Sequence, residues 1–424
     1  MPYVLGIDIG NTTTAATLAR RRGGGWTRPE VVPLDAGAAT VPSVLHLGTD
    51  GTLVVGEPDT EDGSRTARGF VQRVGDDVPL LLAGESCPPQ LLTAVLATWV
   101  VERVLDREGE PAEAVVLSHP AGWGRHRREL LHSALWELGL TTVTLLPRTV
   151  TVAESHAARG FAGSTAAVYA LGGDSFEAAL VRRDPRGCFG TVGLPQGLDG
   201  TGGADFDEAL AAHVRGVLAR DLAAAGRRGA YATLRALLPE CERAKRELTV
   251  DAEADVLLTL PGGPARVPVT RAEFEAMIRP TVQATVDLLL RAVHAAGLRP
   301  ADLDAVLLAG GSTRIPLVAE LLAAAVPVPV EVEPDPQLTA ATGAALAACQ
   351  VVSPRPRPPE PSRRPVPAGD ARPPAGPAVP RQRRPHHDRA VLSEPPPRPP
   401  VRITPLELPR PSRLALTRSR GREG

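Results

Sequence analysis

VLGIDIGNTTTAATLAR (4–20) and VYALGGDSFEAALVRR (168–183) are two versions of one pattern, about 160 residues apart. Each reads as an apolar strand, a turn of glycine and small polar residues, and a second apolar strand. Set one above the other, Ile7 falls on Tyr169, Asp8 on Ala170, Ile9 on Leu171, Gly10 on Gly172, Thr13 on Ser175 and Leu18 on Leu180. A chain that opens each of its halves with the same hairpin is expected to be a duplicated lobe. The turn chemistry suggests what lies between the copies. Glycine and small hydroxyl residues let backbone N–H groups come close to phosphate oxygens as a concave anion nest. A carboxylate at the end of the first strand, Asp8, can hold Mg2+ through its waters, because that ion keeps much of its hydration. Two such hairpins facing each other would grip a phosphate chain from both sides.

The residues between and after the hairpins alternate helix with strand. Leu91 to Leu105 and Arg125 to Leu138 have the spacing of amphipathic helices, with a buried strand at AEAVVLSHP (112–120) between them. Asp205 to Leu222 and Leu234 to Leu248 are also expected to be helical. Thr270 and Glu273 form a capping box for a further helix, which Pro280 should kink or interrupt. In ADLDAVLLAGGSTRIP (301–316) a strand meets Gly310 and Gly311, with Ser312 and Thr313 placed to cap the next helix.

Charge separates this body from the C-terminal segment. From Ser353 to Gly424 there are 16 Arg, 6 acidic residues and 20 of the 44 prolines, a net charge of +10. The whole chain has 47 basic and 48 acidic residues, which leaves 31 and 42 in 1–352, a net of −11. Proline at that density removes amide donors and fixes φ, so a disordered, extended tail is expected beyond about Val352. The tail could dock on protein partners. It has no aromatic residue on which bases could stack, so nucleic acid is not expected as a partner. The four cysteines (87, 188, 241 and 349) are scattered and indicate neither a disulfide framework nor a zinc site. No apolar run approaches the roughly 18 residues of a membrane span. MPYVLGIDIG enters a strand with no basic region or cleavage site, so no membrane insertion and a cytoplasmic location are expected.

Six segments, in order, resemble the nucleotide-binding domain of the DnaK-type chaperones, the heat-shock protein 70 family. They are GIDIGNTT (6–13), ALGGDSFE (170–177), GLDGTGGADFD (197–207), CERAKRELT (241–249), AGGSTRIP (309–316) and EPDPQLTAATGAALA (333–347). The resemblance covers about residues 3 to 350. It implies an α/β, actin-like ATPase fold, with two duplicated ribonuclease-H-like lobes around a nucleotide cleft: lobe I over about 1–165, lobe II over about 166–330, and a closing helix at about 333–350. It implies ATP or ADP with Mg2+ as cofactors. Gly10, Asn11, Thr12 and Thr13 would line the phosphates, with Gly172, Gly173, Asp174 and Ser175 opposite and Gly202 and Gly203 approaching from the second lobe. Glu242, Lys245, Arg246 and Thr249 would contact ribose and adenine. Arg314 would stack on the base with Gly311, Ser312 and Thr313 beneath, and Asp335 would sit near the phosphates at the hinge. Asp8 would hold the Mg2+ water shell, and Asp8 and Glu177 would be the catalytic carboxylates. Lys245 is the single lysine of a chain otherwise basic only through arginine, and it stands where the family's lysine meets the sugar.

Four departures fall on chemistry. The family's second hairpin reads D-L-G-G-G-T, and here its metal-shell Asp is Ala170 and its third glycine is Asp174. The family's hydrolysis lysine is absent, Arg73 in GFVQRVGDD being the nearest cation. The hinge motif N-E-P-T-A-A-A corresponds to LLPRTVTVA (145–153), which holds no acid. Phosphoryl transfer to water relies on neutralised charge and positioning, and losing one such group commonly lowers the rate about 10²–10³-fold. An ATP-binding, chaperone-related protein with weak hydrolysis is the first expectation. A catalytically inactive scaffold, engaging partners through its acidic body and basic tail, is the second. A small-molecule kinase would need a general-base Asp in an acceptor pocket, and none stands out. Nothing after Val352 alternates at strand period, so the family's peptide-clamping β-sandwich is not expected.

Overall fold

A computed structural model of the chain describes residues 1–35, 37–56, 63–224 and 226–353. Apart from Ser353, the expected tail lies outside these residues.

Two sheets carry the described body, and both are strung in the same order. In the first, Tyr3–Ile9 is antiparallel to Thr13–Arg22 on one side and parallel to Ala114–His119 on the other, with Val143–Pro147 parallel beyond it. In the second, Thr165–Leu171 is antiparallel to Ser175–Arg183 and parallel to Ala305–Ala309, with Val330–Glu331 beyond. The registers repeat too. Asp8 lies beside Ser118 across the parallel pair, and its counterpart Ala170 lies beside Ala309. These central strands are buried on both faces, as parallel strands covered by helices must be, so they read as apolar runs rather than alternations.

The helices that cover the sheets are exchanged between the halves. Arg148–Ala158 comes directly after the first sheet's last strand, yet its Val150, Val152 and Ala153 pack on Ala166, Val168 and Val181 of the second. Thr339–Val352 ends the described chain, yet its Ala344, Ala347 and Ala348 pack on Val4, Ala19 and Val116 of the first. The two helices cross each other at Gly343, where an added Cβ would stand 1.6 Å from the Thr151 carbonyl oxygen. At Gly6 an added Cβ would stand 2.1 Å from the Ala345 nitrogen. These are backbone-to-backbone contacts that no other residue permits. They set the distance between the two sheets and so between the two hairpins.

Elsewhere the local signals fare unevenly. Thr270 and Glu273 close the expected capping box, Oγ1 accepting from Glu273 N at 3.2 Å and Oε2 from Thr270 N at 2.9 Å. Pro280 does not interrupt the helix opened by this box, which runs from Arg271 to Ala295. A helix buried on Phe274, Ile278, Val282 and Leu289 tolerates the lost hydrogen bond because its apolar face holds it in place. Ser312 and Thr313 do not cap the helix Pro316–Ala325 either. It begins with proline, whose missing N–H leaves one donor fewer to satisfy, and the Ser312 hydroxyl bonds Gly172 O while that of Thr313 bonds Gly310 O in its own turn.

Gly343→Ala should lower the stability of the domain by about 3 kcal/mol in denaturant unfolding. Gly216→Ala, in a helix where an added Cβ meets nothing within 4 Å, should raise it by about 0.5–1 kcal/mol.

Candidate functional site

The two hairpin turns are closed by the same hydrogen bond. Gly10 N donates to Thr13 O at 2.9 Å, and Gly172 N donates to Ser175 O at 2.9 Å. The turns face and touch. Asn11 Nδ2 donates to Asp174 Oδ2 at 2.6 Å, and Thr12 lies so near Gly173 that a Cβ there would be 2.6 Å from its Oγ1. Asn11 Oδ1 in turn accepts from Gln72 N at 3.5 Å. Burial raises the Asp174 carboxyl pKa; the Asn11 hydrogen bond opposes this, and Asp205 and Asp199 add to it. The clamp therefore carries a carboxylate in the position where the first hairpin has Thr12, and it meets the amide of Asn11 across the gap.

Three further segments converge under the second hairpin. Gly203 N donates to Gly172 O at 3.0 Å and Ala204 N to Gly173 O at 2.6 Å. Ser312 Oγ donates to the same Gly172 oxygen at 2.7 Å. An added Cβ at Gly202 would stand 2.6 Å from Gly172 O, a backbone atom, so that position needs glycine, whereas one at Gly203 would meet the Ser312 hydroxyl at 2.8 Å. Lys245 Nζ donates to Gly203 O at 2.8 Å and to Asp207 Oδ2 at 2.7 Å. Along the helix from Lys245, Glu242 and Arg246 form an ion pair, and Thr249 Oγ1 donates to Arg246 O at 2.6 Å. Arg314, in the turn Gly311–Arg314, is held by Asp335 at 2.8 Å and by Pro334 O at 3.0 Å, with Gln337 packed against Gly311. Asp335 is thus joined to the Arg314 turn.

Where the first strand meets its turn, the site is ionic. Arg148, the first residue of its helix, reaches across to Asp8, with Nε 3.0 Å from Oδ1, and donates from Nη2 to Ile9 O at 3.3 Å. Ser118 Oγ donates to the same Asp8 oxygen. Glu177 is buried behind them, with Oε2 accepting from Ala121 N at 2.6 Å and a further bond from the Gly122 amide. Burial raises the Glu177 carboxyl pKa, and the Arg148 charge opposes it. For Arg148, burial works against the cation, but Asp8 and Glu177 outweigh it and the guanidinium is held charged.

A family model described as Hsp70 protein matches residues 73–358, about two-thirds of the chain. The chain belongs to the Hsp70 family. Its fold is therefore the actin-like ATPase fold, and the repeated sheets are that fold's two lobes. It is similar to the Chaperone protein HscA homolog of Bordetella pertussis, 28% identical over 81% of this chain and 57% of that one. It is also similar to the Chaperone protein DnaK of Thermosipho africanus, 26% identical over 76% of this chain and 54% of that one. The chain spans a little over half the length of these relatives.

Against the Hsp70 pattern, the expected magnesium position does not fit the residues present. Asp8 has its Oδ1 occupied by a guanidinium and a hydroxyl, Ala170 offers no oxygen from its side chain, and Glu177 gives Oε2 to a backbone amide, which leaves only its buried Oε1 without a partner among the described residues. No group of three or more His, Cys, Asp or Glu able to hold a metal ion occurs among the described residues. Arg73 does not take the lysine's place, since its side chain serves Asp76 at 3.4 Å and Val78 O at 2.8 Å. The residue that sequence reasoning missed is Arg148. Its signal was present: a single charge in the apolar run LLPRTVTVA, ahead of a helix with both faces buried.

Asp207 supplies a test of the Lys245 end. Burial pushes its carboxyl up to about 6 from 3.8, against the pull of the Lys245 ammonium. Between about pH 4 and 6 the folded chain holds a proton that the unfolded chain has released, so this group costs stability progressively as pH rises through that window. The stability of wild type relative to Asp207→Asn should fall by about 1–3 kcal/mol from pH 4 to 7 in denaturant titrations.

Proposed function

We propose that this domain binds an adenine nucleotide between its two hairpins and turns it over slowly or not at all. The observation that carries this is the pair of identical turn closures, Gly10 N to Thr13 O and Gly172 N to Ser175 O, set face to face over Gly203, Ser312 and Lys245. Backbone amides at glycine make such a nest whatever the neighbouring side chains are. Gly10, Asn11, Thr12, Thr13, Gly172, Gly173 and Ser175 are assigned to the phosphates. Glu242, Lys245, Arg246 and Thr249 are assigned to ribose and adenine, with Gly311, Ser312, Thr313 and Arg314 beneath the base.

Slow turnover is a consequence of the same cluster. Hydrolysis needs charge neutralised around the transferring phosphoryl group and a water held in line. Asp8 Oδ1 is engaged by Arg148 and Glu177 Oε2 by the Ala121 amide, so each carboxylate has one oxygen fewer with which to orient water. The chaperone names of the relatives support a role in protein folding. Protein partners on the proline- and arginine-rich tail and a cytoplasmic location belong to the same proposal. No helix among the described residues is long and apolar enough to cross a membrane.

A second reading, an inactive scaffold, is favoured by one observation: Asn11 and Asp174 bridge the clamp directly. Nucleotide titration separates the two. The full chain with fluorescent ATP or ADP should show saturable binding below about millimolar, and no saturation there leaves only the scaffold. Asp174→Gly should tighten ATP binding by about tenfold near neutral pH by removing a charge beside the phosphates, with a smaller gain in acid.

A further inference from the structure

We infer that the nucleotide is held without a divalent cation, the Arg148 guanidinium supplying the positive charge at the phosphates. This rests on the nucleotide-binding reading above. Three observations carry it. First, one oxygen of each carboxylate that a hydrated divalent ion would approach is committed elsewhere, Glu177 Oε1 alone standing buried with no hydrogen-bond partner among the described residues. Asp8 Oδ1 takes both Arg148 Nε and Ser118 Oγ, Glu177 Oε2 takes Ala121 N, and position 170 has no carboxylate. Second, a fixed cation already stands there. A guanidinium stays protonated in any protein environment, so Arg148 cannot yield its place by losing charge. A second, divalent cation beside it would be repelled by this fixed charge. Third, the cation is built in rather than loose. Nε is tied to Asp8 at 3.0 Å and Nη2 to Ile9 O at 3.3 Å, and the side chain is only 13% exposed.

Its position suits the task. Ile9 O, which Arg148 holds, belongs to the residue before Gly10, where the first phosphate turn begins. A guanidinium carries five N–H donors in a planar fork, and Nε and Nη2 use part of that set. The fork matches phosphate oxygens geometrically, as a hydrated ion does not. Of the other basic groups assigned to the cleft, Lys245 is occupied by Asp207 and Gly203 O beneath the second hairpin, and Arg246 and Arg314 are paired with Glu242 and Asp335. Arg148 is therefore the cation of the first hairpin.

The test is the affinity of the full chain for ATP and ADP, by calorimetry, in excess MgCl2 and in excess EDTA. The expected result is a dissociation constant that differs by less than about threefold between the two. A loss of more than about tenfold in EDTA overturns the inference and leaves nucleotide binding standing. No binding in either buffer ends the nucleotide reading itself. Arg148→Gln adds the residue-level test. It should weaken binding in EDTA by about tenfold or more, and MgCl2 should recover part of the loss because Asp8 is released. Arg148→Lys should stay metal-independent with intermediate affinity. If folded Arg148→Gln binds in EDTA as wild type does, Arg148 is not the cation. If it does not fold, the wild-type comparison still decides whether a metal is needed.

Discussion

The crossing of two helices through Gly343 and Thr151 governs the rest of the molecule. Each helix covers the sheet of the other half, so neither lobe completes its core alone. The approach is set by backbone atoms, which cannot relax as a side chain would, and an interior packed to crystal density transmits that spacing outward. The hairpins lie at the ends of the covered strands. Their contact through Asn11 and Asp174, and through Thr12 and Gly173, is a consequence of how closely the helices cross.

That crossing also delivers a charge. Arg148 is the first residue of the helix that carries Thr151, and a cation at a helix N-terminus sits against the positive end of the helix dipole. Burial adds a desolvation cost. Asp8 answers both with an ion pair at 3.0 Å, and Ser118 satisfies the same carboxylate. Removing either partner would strand the other in a buried place, so the pair has become part of the fold as well as of the site. The neighbouring Glu177 completes the ring by tying the 121–122 backbone to the second hairpin.

Much of this is legible in the sequence wherever the cause is local. The hairpins are recognisable because glycine and small residues must stand where the turns close, and both closures share one hydrogen bond. The capping box at Thr270 and Glu273 needs only four residues to specify. The features that escape a sequence reading depend on distant partners. Arg148 meets Asp8 across 140 positions and Asn11 meets Asp174 across 163, and no spacing rule reaches that far. Pro280 misleads for the same reason, since packing on residues far away outweighs a local helix break. Ser312 and Thr313 stand where caps of the next helix would be expected, yet one hydroxyl serves Gly172 and the other Gly310.

The distribution of departures from the family pattern has its own physical logic. Positions where a Cβ would collide with backbone, Gly6, Gly202, Gly310 and Gly343, hold glycine because their constraint is steric. Positions whose side chains are not fixed by such a collision, 170 and 174, carry Ala and Asp instead of the family's residues. A nest of amides does not depend on those side chains, whereas a metal site needs several oxygens aimed at one point. Asp8 is paired in this chain with an arginine on the helix start, which holds its Oδ1 at 3.0 Å. Restoring an acid at position 170 alone would leave Arg148 in possession of Asp8.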